Sequence, residues 1–179
     1  MRKIIAAEYL SIDGVMEEPS WTTPYWNQEL SDFQEHLNFS SDALLLGRKT
    51  YQGFAQAWPN MTNEGEFAHR MNSLPKHVAS RTLKNAEWNA TMIQGDVATE
   101  VLKLKQQAGQ NMLIYGSGEL VRSLMQHDLI DELHLMIFPI ILGKGLQLFG
   151  GSQATLKLLD TKITSAGVSI LTYQPVQQA

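Results

Sequence analysis

Along the chain, short apolar runs alternate with stretches in which apolar residues return every three or four positions, the pattern of strands and helices following one another in an α/β fold. The runs at 43–46 (Ala-Leu-Leu-Leu) and 112–115 (Met-Leu-Ile-Tyr) have no charged interruption. Such runs mark the central strands of a parallel sheet, which are covered on both faces. Strands are predicted at 3–10, 43–47, 76–80, 91–93, 112–115 and 133–138. A last pair, 156–162 and 168–173, reads as an antiparallel hairpin that closes the sheet. Helices are predicted over 27–37, 49–55, 64–71, 96–107 and 118–126. In the fourth, Asp96 can cap the first turn, and Val97, Val101, Leu104 and Ala108 recur at spacings of three and four. Residues 174–179 read as a frayed end.

Composition then narrows the picture. The 179 residues, 44% of them hydrophobic, suit one domain spanning 1–179 with a core that needs no disulfide or metal. A net charge of -4 offers no basic face for nucleic acid and no attraction to anionic membranes. The longest apolar stretch, 133–142, contains His134 and Pro139 and falls far short of the ~20 residues of a membrane span. The N-terminal apolar run is interrupted by Glu8 and shows no secretory cleavage pattern, so a cytoplasmic location is expected. Having no cysteine, the chain has no disulfides, thiolate ligands or cysteine nucleophiles. Its histidines, at 36, 69, 77, 127 and 134, lack metal-ligand spacing, and no metal site is expected.

Chemistry enters where the two central strands end. Each runs directly into a glycine and then a helical pattern: Gly47-Arg48-Lys49-Thr50-Tyr51 and Gly116-Ser117-Gly118-Glu119-Leu120. Glycine permits the tight turn, and the N–H groups opening the helix point at an anion. One such turn is equally what an ordinary connection uses. Two of them on central strands suit a dinucleotide, because open sheets bind ligands beyond the carboxyl ends of their strands. The second turn lacks the third glycine of a Rossmann fingerprint, and neither turn has a Walker ending.

Several segments together resemble the dihydrofolate-reductase-like superfamily, in its branch typified by the RibD C-terminal reductase domain of riboflavin biosynthesis. They are Ala6-Ala7-Glu8-Tyr9-Leu10-Ser11-Ile12-Asp13-Gly14, Leu46-Gly47-Arg48-Lys49-Thr50-Tyr51, Ser80-Arg81-Thr82, Tyr115-Gly116-Ser117-Gly118, and Asp131-Glu132-Leu133 through Gly143-Lys144-Gly145. The resemblance implies a three-layer α/β/α fold with a mostly parallel central sheet and a C-terminal antiparallel hairpin. It implies NADPH as cofactor, hydride transfer to a small pteridine- or pyrimidine-like heterocycle, and a homodimer formed through the late strands. Ala7, with the mobile loop that follows its strand, would lie beside the nicotinamide. Arg48 and Arg81 would pair with the 2′-phosphate, flanked by Lys49 and Ser80, and Thr50 would offer its hydroxyl to a phosphate. The pyrophosphate would rest on Ser117, Gly118, Glu119 and Leu120, and the Gly116–Ser117 peptide would be cis.

For the catalytic side, the position at which a dihydrofolate reductase carries its helix carboxylate falls at Trp26 or Asn27, a departure that argues against folate reduction. Asp13, beside Gly14, and Asp32, on the first helix, are the candidate acids. Trp21, Trp26 and Phe33 could stack on a flat ring, although aromatic side chains also build cores. Two other readings stay open: a non-catalytic NADP(H)-binding dimeric module, and a riboflavin-pathway pyrimidine reductase. A flavin in place of NADPH is a further variant.

Overall fold

In the computed structural model, which describes residues 1–63 and 65–176, one sheet carries eight strands: β1 (Ile4–Leu10), β2 (Ser41–Gly47), β3 (Lys76–Ala79), β4 (Ala90–Ile93), β5 (Asn111–Tyr115), β6 (Glu132–Ile137), β7 (Leu156–Ile163) and β8 (Ser169–Pro175). Their order is β4-β3-β2-β5-β1-β6-β8-β7. Every pairing from β4 to β6 is parallel, and β8 and β7 add an antiparallel hairpin at one edge. Helices α1 (Gln28–Phe39), α2 (Arg48–Ala57) and α3 (Glu66–Ser73) contribute Leu30, Leu37, Tyr51 and Met71 to the core on one face. Helices α4 (Val97–Gln106) and α5 (Gly118–Gln126) cover the other with Val101, Val121 and Leu124. This is the three-layer α/β/α arrangement with a closing hairpin that the periodicity and the resemblance imply.

The central strands are apolar because helices bury them from both sides. Leu44, Leu45 and Leu46 of β2 and Met112, Leu113 and Ile114 of β5 are fully buried. Element ends move by a residue or two, each for a local reason. Asn27 and Asp96 stand outside their helices as N-caps, their side chains accepting hydrogen bonds from the N–H groups of Leu30 (3.1 Å) and Thr99 (2.9 Å). Helix α1 continues past Leu37 because Asn38 and its neighbours keep turning over the core, with Asn38 itself buried. The start expected for the third helix at Glu64 lies outside the described residues, and α3 begins at Glu66. Gln174 and Pro175 are not frayed: they pair with Lys157 and Leu156 in β8, while 177–179 lie outside the described residues. Short 3-10 turns at Pro19–Tyr25 and Trp58–Asn60 have no counterpart in the apolar periodicity. Among the described residues no helix is long and apolar enough to cross a membrane.

Candidate active site

The two glycine turns meet. Gly47 ends β2 and Gly116 follows β5, which are adjacent parallel strands. The Gly47 N–H donates to Ser117 Oγ (2.9 Å), the Ser117 N–H donates to Thr50 Oγ1 (3.0 Å), and the Ser117 hydroxyl donates to the Tyr115 carbonyl (3.0 Å). In β3, Ala79 pairs with Gly47, which sets Ser80 and Arg81 at the same end of the sheet. The Tyr51 hydroxyl holds that neighbouring loop, accepting from the Glu87 N–H (2.8 Å) and donating to the Glu87 carbonyl (2.9 Å). Ser80 Oγ shapes it further by accepting from the N–H groups of Thr82 and Leu83.

What the rim leaves free is as telling as what it bonds. Helices α1 and α4 have side-chain N-caps, whereas α2, α3 and α5 have none, and of these α2 and α5 open on Gly47 and Ser117. Their first N–H groups and the positive ends of two helix dipoles are therefore available to an anion. Arg48, Lys49 and Arg81 are exposed and take part in no ion pair with the described residues. Two expectations change. The Ser117 N–H is taken by Thr50 Oγ1, whose own hydroxyl proton stays free to donate, so the backbone donors left at the second turn are those of Gly118, Glu119 and Leu120. The described peptide bonds are all trans, Gly116–Ser117 included; the chain reverses instead through two successive left-handed residues, Gly116 (φ 54°) and Ser117 (φ 58°). Gly118 is closed over by Met16, whose sulfur lies 2.6 Å from where a Cβ would stand.

The predicted acids are engaged in other bonds. The Asp13 carboxylate accepts from the Ser11 hydroxyl (2.7 Å) and from the N–H groups of Leu142 (3.1 Å) and Gly143 (2.7 Å). These bonds pull its pKa down to about 2, Ser11 foremost, so it holds no proton to give near neutrality. It ties residues 11–17 to 142–148, a junction that also includes Met16 N–H to the Leu146 carbonyl and Leu148 N–H to the Gly14 carbonyl. The loop expected to be mobile is thus bonded to a second loop. Asp32 is exposed and held by the Gln28 amide (2.6 Å), because the buried stripe of α1 runs through Leu30, Gln34, Leu37 and Asn38, on the other side of the helix. With Phe33 and Lys162 it lines a groove between α1 and the β7–β8 hairpin. Phe33 packs on His134 (5.6 Å between ring centres) and so stands apart from the aromatic group around Phe138. That group gathers Tyr9, Trp21 and Tyr25 edge-on at 5.6–6.0 Å, and Trp26 meets Tyr9 at 5.8 Å. Ala7 is buried in β1, paired with Tyr115 on one side and His134 on the other.

Sequence reasoning passed over a set of buried polar atoms. Five side-chain atoms among the described residues are buried without a hydrogen-bond partner, and four belong to Glu8, Gln34, Asn38 and Tyr115 of β1, α1 and β5. Buried polar groups are normally satisfied, so these exceptions are notable. Glu8 points to the α5 side of the sheet, and burial raises its pKa well above the ordinary carboxyl value. The other three lie on the α1 side. No local pattern could have found them, since a polar residue in an apolar run reads as an interruption until the neighbours are known.

A family model for the RibD C-terminal domain matches residues 2–172. The chain belongs to that family. Across this RibD C-terminal domain the uncharacterized protein YyaP of Bacillus subtilis (strain 168) is 30% identical over 181 residues, covering 96% of this chain and 94% of the relative. A protein of Shewanella sp. PV-4 named for riboflavin biosynthesis shares the fold at a TM-score of 0.77 and 22% identity, covering 98% and 99% of the two chains. So does a diaminohydroxyphosphoribosylaminopyrimidine deaminase/5-amino-6-(5-phosphoribosylamino)uracil reductase of Thermotoga maritima, at a TM-score of 0.69 and 14% identity, with this chain spanning 57% of it.

Within this RibD C-terminal domain the late Asp131-Glu132 motif is structural. Asp131 accepts from the Ile4 N–H (2.8 Å) and pairs with Lys105, and Glu132 pairs with Lys3 (2.7 Å) and His134 (3.1 Å). These contacts stand where β1 and β6 begin, at the end of the sheet away from the glycine turns. Among the described residues no three histidine, aspartate or glutamate side chains converge as a metal site.

Proposed function

We propose that this chain is a reductase that uses NADPH to reduce a small pyrimidine- or pteridine-like ring. The observation that carries the reading is the direct bonding of two uncapped helix starts, at Gly47 and Ser117, beside Arg48, Lys49 and Arg81, which form no ion pair among the described residues. That arrangement suits a ligand with a pyrophosphate and a further phosphate: backbone N–H groups of α5 for the first, guanidinium groups for the second. Family membership supports the reductase class. When bound, the reduced nicotinamide supplies the hydride. The chain's own part is to anchor phosphates, fix the turns through the Ser117–Thr50 lock, and keep the layer under α1 closed to water with the aromatic group around Phe138.

Arg48→Ala should weaken NADPH binding at least tenfold while changing NADH binding less than twofold, read by quenching of protein fluorescence. Equal losses for both would remove Arg48 from the 2′-phosphate. A second reading, an NADP(H)-binding module without turnover, is favoured by the engagement of Asp13 and the outward placement of Asp32. Loss of reduced-nicotinamide absorbance with a panel of pyrimidine and pteridine substrates separates the two. The proposed assembly is a homodimer, with β7 as its contact: this outer strand exposes Leu158, Leu159 and Ile163.

A further inference from the structure

Strands β3 and β4 are parallel neighbours, a pairing that proteins ordinarily connect through a helix. Here residues 80–89 make the connection without one. Its first residues, Ser80 and Arg81, leave β3 at the rim, where Ala79 pairs with Gly47. Its last, Trp88 and Asn89, turn the chain at the other end of the sheet, both left-handed at φ 54°. That corner is anchored on α3 and β3. The Trp88 indole N–H donates to Asn72 Oδ1 (2.6 Å), and the Asn89 amide donates to the Ser73 carbonyl (2.9 Å). Against the indole, 3.8 Å from its ring centre, lies the ammonium group of Lys76, a buried residue that also donates to the Asn72 carbonyl (3.1 Å).

Between its ends the connection has one tether. Ser80 Oγ bonds within it, accepting from the N–H groups of Thr82 and Leu83. Among the described residues, the hydrogen bonds that reach the backbone of 81–88 from outside the connection come from a single atom, the Tyr51 hydroxyl on Glu87. A phenol that both accepts from and donates to one residue fixes that residue in distance and direction. Tyr51 is buried, and it stands one turn along α2 from Arg48. Two arginines on different elements are thereby joined through one side chain: Arg48 on the helix that carries Tyr51, and Arg81 on the segment that Tyr51 holds. A guanidinium on an irregular segment gives up part of its pairing energy to the ordering of its carrier, and a carrier already ordered gives up less. A dinucleotide with no phosphate at its 2′ position gains nothing from this arrangement.

We infer that Tyr51 is a positioning residue for cofactor choice: by fixing the connection that carries Arg81 against the helix that carries Arg48, its hydroxyl sets a preference for a 2′-phosphorylated dinucleotide over an unphosphorylated one. This rests on the reading that NADPH binds at the rim. The test is calorimetric titration of the wild type, Tyr51→Phe, Arg81→Ala and the double variant with NADPH and with NADH. Tyr51→Phe keeps the ring in the core and removes the hydroxyl. It should weaken NADPH about fivefold, the size of one neutral hydrogen bond, and NADH less than about twofold. Added to Arg81→Ala, it should weaken NADPH by no more than about twofold further, because the group it positions is already gone. Hydrogen exchange read by mass spectrometry should quicken in residues 80–87 of Tyr51→Phe and stay unchanged in β2 and β5. If Tyr51→Phe does not fold, Trp88→Phe, which removes the bond to Asn72 at the anchored corner, carries the same comparisons with the same expected signs. A loss shared equally by NADPH and NADH, an undiminished loss in the Arg81→Ala background, or unchanged exchange in 80–87 would overturn the inference and leave the NADPH reading in place. Failure of the wild type to prefer NADPH over NADH would sink that reading and this inference with it.

Discussion

Glu8 sits in the middle of β1 with no donor to its buried carboxyl, and that isolation makes a stability prediction. Its pKa is raised above that of the unfolded chain by burial. Below the ordinary carboxyl range both states are protonated and nothing is lost. As pH climbs through that range, the unfolded chain releases the proton while the folded chain keeps it, so stability declines by up to about 1.4 kcal/mol per pH unit until the raised pKa is reached. Glu8→Gln should remove this decline, and its advantage over wild type in denaturant unfolding should widen from pH to pH upward. A constant difference would mean that Glu8 is ionised in the folded protein. Residues of this kind were hidden in the sequence. Glu8 and Gln34 read as polar breaks, because which atoms meet a side chain depends on strands and helices distant along the chain. Arg48 and Ser117 were legible, since their neighbours in the sequence are their neighbours in the turn. Asp13 was legible as a loop residue but not as a pin, its partners Leu142 and Gly143 being 129 and 130 positions away.

At the scale of elements, the glycine turns and the helices they open behave differently from the glycines inside helices. Gly116 adopts a left-handed conformation, and a Cβ there would stand 3.1 Å from Thr50 Oγ1, the acceptor that locks Ser117. Gly116→Ala should destabilise the chain by about 1–2 kcal/mol and weaken phosphate-bearing ligands by shifting the lock. Gly53 lies within α2 with nothing within 4 Å of its would-be Cβ, so Gly53→Ala should stabilise by about 0.5–1 kcal/mol. Equilibrium unfolding of the two variants checks both signs at once; a Gly116→Ala variant as stable as wild type or more so would show that the turn carries no conformational demand. Helix and strand positions were readable because 3.6- and two-residue periods are local. Their ends were less so: α1 runs through Asn38, a polar residue whose helical place is set by Met71 from another helix.

For the whole molecule, the sheet ends in β7, an outer strand with Leu158 51%, Leu159 46% and Ile163 70% exposed. Unpaired strand edges with apolar side chains favour pairing with another chain. Light scattering after size exclusion should give a dimer, and Leu159→Lys combined with Ile163→Lys should halve the mass with NADPH binding retained. A wild-type monomer at micromolar concentration would remove β7 as a contact. The sequence by itself determined the alternation of elements, the central strands and the two glycine-opened helix starts, because hydrophobic period and backbone freedom act over a few residues. Tertiary structure alone decided that Gly47 and Ser117 bond to each other, that Asp13 is spent as a pin between two loops and Asp32 is a surface group, and that one side-chain oxygen each of Glu8, Gln34, Asn38 and Tyr115 is buried without a hydrogen-bond partner among the described residues. Those facts depend on strand order and helix rotation, which bring together side chains separated by up to a hundred residues and more, and no local spacing encodes them.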